Sequence, residues 1–306
     1  KISHNGPLAN CAKGGTRIRP GLSLNEVRML ARTMALKNAA AGLPLGGCKS
    51  GINADPLAPN FEQKYRRFVS LCQPFLHENG GPFGGFGFDI GAAPEHALWA
   101  CETLQSTRSF TGKTIAMGGT DYDREGIAGL GVAESAAEAL KLTGKDITRL
   151  PFAVHGVGAM GAAVIRYYSA FGAQLYGLGD PKYQGTWHFK QGISPRLLEA
   201  IIQQDQTTAM QYIAQQGEHI SEDANQILFS PCPLLFPCAL QHCIHEKNID
   251  QLHAELIVEG ANSPCTPACY TKLHDKGIRV IPDFIANVGG VIAAYIELSS
   301  TISDTE

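Results

Sequence analysis

Apolar positions along this chain follow two rhythms, one helical and one of short extended runs. Residues 1–20 open with a strand-like segment. Ser23 and Glu26 then form a capping-box pair ahead of Val27, Leu30 and Met34, which recur along one helical face. Residues 60–72 carry the same rhythm, with Phe61, Tyr65 and Phe68 together and Lys64, Arg66 and Arg67 elsewhere. Glycines and phenylalanines alternate up to Asp89, and a helix is predicted to begin near Pro94. A polar, glycine-broken loop, GGTDYDREG, places a domain boundary near residue 125, ahead of an alanine-rich helix over about 129–142. The strand PFAVHG, the helix AAVIRYYSAFG and the strand AQLYGLGD follow. Ser194 and Pro195 open a further helix as N-cap and first-turn residue, and residues 206–216 form another. Short apolar runs at 227–229, 256–258 and 280–281 suit parallel strands buried in a doubly wound sheet. A helix VIAAYIEL and a polar tail end the chain.

Two lysines stand out against this pattern. The series Val27, Leu30, Met34 leads to Lys37, so an ammonium falls on the apolar side of its helix. It either snorkels to water or works in a pocket. A dozen positions on, Lys49 sits among Gly46, Gly47, Cys48 and Gly51, where glycine lets a ligand approach the main chain. Two ammonium groups in one desolvated pocket depress each other's pKa and bind a carboxylate. Asp89 either caps the following helix or serves as an acid-base group. The basic turn at Lys13, Arg17 and Arg19, with Gly14 and Gly15 inside it, is either a solvated loop or the edge of a pocket.

The second half carries a more specific signal. Gly156, Gly158 and Gly161 form G-x-G-x-x-G between a predicted strand and a predicted helix, with Ala159 and Met160 before the last glycine. Such glycines admit a pyrophosphate to the helix N-terminus, where unpaired N–H groups and the dipole favour an anion. Asp180, at the end of the second strand, is expected to accept hydrogen bonds from the adenosine ribose hydroxyls, which favours NAD over NADP. Lys182 would offset a repulsion between Asp180 and a 2′-phosphate, so NADP stays open. Asn262 in VEGANSP and Asn287 in IPDFIANVGG follow predicted strands, where loops form the cofactor crevice. They are candidates to bond the nicotinamide, its ribose or the substrate.

Composition narrows the classes. At 306 residues and 44% hydrophobic content the chain can build two cores. A net charge of −3 without a basic run argues against nucleic acid as partner. No apolar run is long enough to span a bilayer, and KISHNGPLAN has neither the charged lead nor the apolar core of a signal peptide. A cytoplasmic protein without a membrane partner is the expectation. The sequence opens at Lys1 rather than at a methionine, which leaves room for residues upstream. Nine cysteines without a regular framework fit reduced thiols. Cys232, Cys238, Cys243, Cys265 and Cys269, near His242 and His245, lack paired C-x-x-C spacing and read as buried thiols rather than a metal site.

In their order, GGTR, KNAAAGLPLGGCKSGI, FDIG, the dinucleotide glycines, VEGANSPCTP and IPDFIANVGG resemble the glutamate/leucine/phenylalanine/valine dehydrogenase superfamily over nearly the full length. The resemblance implies a split α/β substrate domain, residues 1–125 completed by 288–306, and a Rossmann-type doubly wound cofactor domain over 126–287, with catalysis in the cleft between them. It also implies a homo-oligomer that converts an L-amino acid to its 2-oxo acid and ammonia, reversibly. Lys37 matches the family lysine that holds the substrate α-carboxylate. Lys49 matches the lysine that activates water and stabilises the carbinolamine oxygen, and Asp89 the aspartate that exchanges protons with the amino group. Lys13, beside Gly14 and Gly15, matches the lysine that glutamate enzymes aim at the side-chain carboxylate, so glutamate is the substrate first expected. Ala294 stands where those enzymes supply a serine, and KNAAAGL leans towards the leucine and phenylalanine branch. Ala92 and Ala128 replace family threonines, which keeps open a paralogue with weak or altered activity.

Overall fold

The protein is described by a computed structural model over residues 2–4 and 11–299. The strand-like opening is therefore described only in part, and the polar tail lies outside the described residues. The chain divides into two compact units, Lys1–Arg124 with Gly290–Glu306, and Glu125–Gly289.

The first unit is built around one strand. Its elements are β1 (Ile2–His4), β2 (Ala12–Lys13), β3 (Thr16–Ile18), α1 (Leu24–Ala40), β4 (Gly46–Ile52), α2 (Phe61–Cys72), β5 (Phe86–Gly87), α3 (Pro94–Leu104) and β6 (Phe110–Thr111). A short α4 (Tyr122–Glu125) ends the first pass through this unit. β4 pairs antiparallel with β1 and parallel with β2 and β3, and β5 pairs parallel with β6. α1 lies directly on β4: a Cβ on Gly47 would stand 2.1 Å from the Ala35 nitrogen and 2.2 Å from the Ala31 oxygen. Only a bare backbone permits that approach, and it fixes Lys37 and Lys49 relative to each other. The Ser23 hydroxyl caps α1 by accepting the Glu26 N–H, as the sequence pattern predicts. The reciprocal half of the capping box is not made, because the Glu26 carboxylate is drawn to Arg17 and Arg19 instead. The core behind these strands is aromatic, with Phe61, Tyr65, Phe83, Phe86 and Phe110 buried.

The second unit runs α5 (Ile127–Leu142), β7 (Phe152–His155), α6 (Ala159–Ala170), β8 (Leu175–Asp180), β9 (Gly185–His188), α7 (Pro195–Ile202), α8 (Gln206–Gln216), β10 (Glu218–Ser221), β11 (Leu234–Pro237), β12 (Leu256–Val258), α9 (Cys269–Asp275), β13 (Arg279–Ile281) and α10 (Asp283–Ala286). Its sheet has the order β10-β9-β8-β7-β11-β12-β13. The five strands from β8 to β13 are parallel, while β9 and β10 extend the edge antiparallel. Phe152, Val154, Leu234, Phe236, Leu256 and Val258 join one core cluster, and Ala153, Leu235 and Ile257 join another. That alternation buries both faces, so the strands read as unbroken apolar runs. The architecture is a mixed α/β fold with a Rossmann-type unit, as expected.

One sequence expectation needs correction, and one feature was not foreseen. Residues 227–229 are not a strand; they end a 3-10 turn, Ala224–Phe229. Asp223 caps that turn by accepting the Asn225 N–H, and Ile227 fills the bare surface of β8 over Gly177 and Gly179. The next strand of the sheet is β11 instead. The β9–β10 extension was not anticipated: β10 exposes polar residues at the sheet edge, and β9, though buried, is a four-residue strand of mixed residues without an apolar run. The last helix, α11 (Gly289–Ser299), returns the chain to the first unit.

Candidate active site

In the first unit, β4 carries Lys49 to the Asp89 carboxylate, Nζ to Oδ2 2.8 Å, with Lys49 only 6% exposed. Arg17, on β3, reaches the same carboxylate through Nε at 2.9 Å and Nη2 at 3.4 Å, and bonds Glu26 at 3.0 Å. Asp89 is not the cap of α3: that place is taken by Ala93, whose N–H is accepted by His96 Nδ1. Burial pushes the Asp89 carboxyl up, but the charges of Lys49 and Arg17 outweigh it and hold the group below the ordinary carboxylate value. Burial lowers the Lys49 amine, a shift that the attraction of Asp89 reduces and the Arg17 charge reinforces. The pair thus offers an amine that loses its proton more readily than a free lysine, beside a carboxylate kept ionised.

Lys37 is also buried, at 7% exposure on the inner side of α1. Lys13, on β2, is 4% exposed and donates to the Phe86 oxygen and, at 3.3 Å, to the Gly85 oxygen. Burial lowers its pKa to about 7, a fall moderated by nearby Cys48 and Glu297. The basic turn is therefore no solvated loop at Lys13 or Arg17. Gly14 and Gly15 lie against the main chain: added Cβ atoms would stand 1.5 Å from the Cys48 oxygen and 2.3 Å from the Phe88 oxygen. Ala294 is buried in α11. Asp89 opens on a cavity of about 350 Å³ lined also by Phe88, Ala92, Lys113, Met117 and Asp121.

Sequence reasoning missed the pair beside that cavity. Lys113 is bonded to Glu297 of α11, whose carboxylate also accepts from Gly112 N at 2.9 Å and Thr120 Oγ1 at 2.9 Å. The available signal was a lone acid in an otherwise uncharged helix.

In the second unit the strand order reverses between β8 and β11 on either side of β7, the position at which open α/β sheets leave a crevice. Gly156 follows β7 with φ +85° and packs on Ala239, and a Cβ on Gly161 would stand 1.9 Å from the Gly156 oxygen. Gly158, the N-cap of α6, has open space where its Cβ would be. Ala159 and Met160 form the first turn of α6. This cradle fits a pyrophosphate. Asp180 is already engaged: Oδ2 accepts from Val157 N at 2.6 Å and Oδ1 from Lys182 N at 2.9 Å. Lys182 Nζ turns back to the Val157 oxygen at 2.5 Å and Gln204 Oε1 at 2.8 Å. Asn287 donates to the Gly260 oxygen at 2.9 Å and to Asn262 Oδ1 at 3.3 Å, while its own buried Oδ1 has no partner, an acceptor suited to an amide or hydroxyl donor of a nucleotide. All nine cysteines are free thiols, and among the described residues no group of His, Cys, Asp or Glu is arranged to hold a metal ion. Among the same residues no helix is long and apolar enough to cross a membrane.

Comparisons with known proteins bear on the family and the fold. The family described as Glutamate/Leucine/Phenylalanine/Valine dehydrogenase matches residues 118–305, and its dimerisation domain matches residues 2–98. The chain is similar to the NADP(+)-dependent glutamate dehydrogenase of Pyrobaculum calidifontis, 31% identical over 310 residues covering 97% of this chain and 71% of the relative. It is 30% identical over 304 residues to the NAD-specific glutamate dehydrogenase of Staphylococcus aureus, covering 97% and 71%. Its fold matches the crystal structure of Plasmodium falciparum glutamate dehydrogenase with a TM-score of 0.85 at 23% identity, covering 97% of this chain and 65% of that one. The chain thus spans about two thirds of that protein's length.

Proposed function

This chain belongs to the Glutamate/Leucine/Phenylalanine/Valine dehydrogenase family of oxidoreductases, and from that membership we propose that it converts L-glutamate to its 2-oxo acid and ammonia, and the reverse. The observation that carries the reading is the buried contact of Lys49 with Asp89 at 2.8 Å. Lys37 holds the α-carboxylate, a role its buried position on α1 favours. Asp89, kept ionised by Lys49 and Arg17, takes a proton from the substrate ammonium. A nicotinamide supplies the hydride acceptor when it is bound. Lys49 removes a proton from the water that attacks the iminium carbon and then hydrogen-bonds the carbinolamine oxygen. Asp89 returns its proton to the nitrogen, so that ammonia leaves as the carbonyl forms and the hydroxyl proton passes to solvent.

Lys13 supports glutamate, since its amine is a buried cation below about pH 7. A specific observation favours a second reading, a leucine- or phenylalanine-type enzyme. The Lys13 amine already donates to two carbonyls, and Ala294 brings no hydroxyl to assist it. For the cofactor we propose NAD, on the strength of Asp180, although Lys182 lies beside it and the family's relatives include NAD and NADP enzymes. Residues 2–98 match a dimerisation domain, which supports a homo-oligomer, and a cytoplasmic location is proposed with it.

The test is reduction of NAD and NADP over a panel of L-amino acids. Turnover with glutamate, about 10²–10⁴-fold above that of Lys49→Ala, is expected. Wild-type rates no higher than the variant's across the panel would overturn the catalytic reading.

A further inference from the structure

Glu259 is the one carboxylate at the end of β12, and it is fully buried. Its surroundings are donors. The Tyr270 hydroxyl, from α9, lies 3.0 Å from each oxygen, the Asp283 N–H donates to Oε2 at 3.0 Å, and the Cys265 thiol also bonds it. A carboxylate without its proton is an acceptor only, so this set fits the ionised form. Burial pushes its pKa up, the nearby Asp283 charge adds to the rise, and these donors oppose it without cancelling it. Removing such a group from water is costly, and a plain structural contact between two loops would not need it.

The placement of those bonds gives the cost a purpose. Glu259 joins the loop that carries Gly260 and Asn262 to the start of α10, and α10 ends at Asn287. Asp283, beside it, accepts the Ser263 N–H at 3.0 Å and so returns the tie to the first loop. The Asn287 N–H is accepted by the Asp283 oxygen at 3.0 Å, and the Asn287 amide crosses back to Gly260. Each asparagine is thus held from both loops, and the bond between Glu259 and Asp283 N sets their separation. The unpaired Asn287 Oδ1 is the group whose aim depends on it.

We propose that Glu259 is a positioning residue which, through Tyr270 and the Asp283 N–H, holds Asn262 and Asn287 in register for the nicotinamide half of the cofactor and leaves the adenosine half to the glycine loop. The inference rests on the cofactor reading above. Glu259→Gln keeps the shape but turns an amide N–H towards donors; Tyr270→Phe removes one donor and keeps the ring.

Calorimetric titration with NADH and with ADP-ribose, which lacks the nicotinamide, separates the possibilities. Wild type is expected to bind both. Glu259→Gln should weaken NADH about tenfold, in line with small misplacements of binding groups, and change ADP-ribose less than twofold. Tyr270→Phe should shift NADH the same way by a smaller factor. Equal losses for both ligands, or no loss in either variant, would show that Glu259 is only structural and overturn the proposal. A wild-type protein that binds neither ligand would overturn the cofactor reading itself.

Discussion

At the scale of single residues the site is a problem in keeping charge where water is scarce. Lys13, Lys37 and Lys49 are all buried, yet their surroundings differ. Lys49 meets a carboxylate, whereas Lys13 meets carbonyl dipoles, and burial brings its pKa to about 7. If Lys13 receives the glutamate side chain, its cation must be present to attract it. The cationic form of the free protein is full below about pH 7 and is lost as pH rises through that value. The kcat/KM for glutamate should therefore fall on the alkaline side, up to about tenfold per pH unit once Lys13 is deprotonated, because this ratio reports groups of the free enzyme. Lys13→Leu should remove that limb and most glutamate turnover while a neutral amino acid keeps its rate. A glutamate profile unchanged by Lys13→Leu would take Lys13 out of the substrate site.

At the scale of elements, close backbone approach explains more than side-chain bonding does. The glycines of the nucleotide loop divide by what stands next to them. Gly161 touches the Gly156 oxygen, so Gly161→Ala is expected to cost about 1–3 kcal/mol as overpacking, read from chemical denaturation. Gly158 faces open space, so Gly158→Ala should leave stability within about 0.5 kcal/mol and weaken NADH binding instead. Equal destabilisation in both variants would count against a ligand cradle at Gly158. These glycines were legible because strand, glycines, helix and acid follow one another in the sequence. The contact of Lys49 with Asp89 was legible only through the family resemblance, which puts both in one site; no local pattern shows it, since it depends on β4 and the segment after β5 lying side by side. Lys113 with Glu297 and Glu259 with Asp283 were not legible, since they pair across long stretches of chain and carry no local periodicity. Residues 227–229 misled because three apolar residues look alike in a buried strand and in a 3-10 turn over bare glycines. The capping box at Ser23 was half legible: the hydroxyl obeys the local rule, while a nearby arginine pair outbids the backbone for Glu26.

At the scale of the molecule, each unit has its own core and its own charged or glycine-lined site, so each should answer to its own ligand. The first holds the lysines and Asp89; the second holds the α6 N-terminus, Asp180 and the two asparagines. A ligand that binds only the folded form of a unit stabilises it by RT ln(1 + [L]/Kd), about 2.7 kcal/mol at a hundredfold excess over Kd, a roughly hundredfold slowing of exchange for amides that open with that unit. Amide hydrogen exchange on the whole chain reads this region by region. ADP-ribose should slow exchange within Glu125–Gly289, most around residues 156–161 and 180–182. Glutarate, a dicarboxylate that mimics the substrate skeleton without its amine, should slow exchange around residues 12–17 and 46–52. If glutarate protected the second unit, or ADP-ribose the first, the assignment of substrate and nucleotide to separate units would be wrong. If glutarate gave no protection while leucine did, the side-chain pocket would belong to a neutral amino acid, and the buried Lys13 amine, already satisfied by the Phe86 and Gly85 carbonyls, would be part of its wall rather than a hook for a second carboxylate.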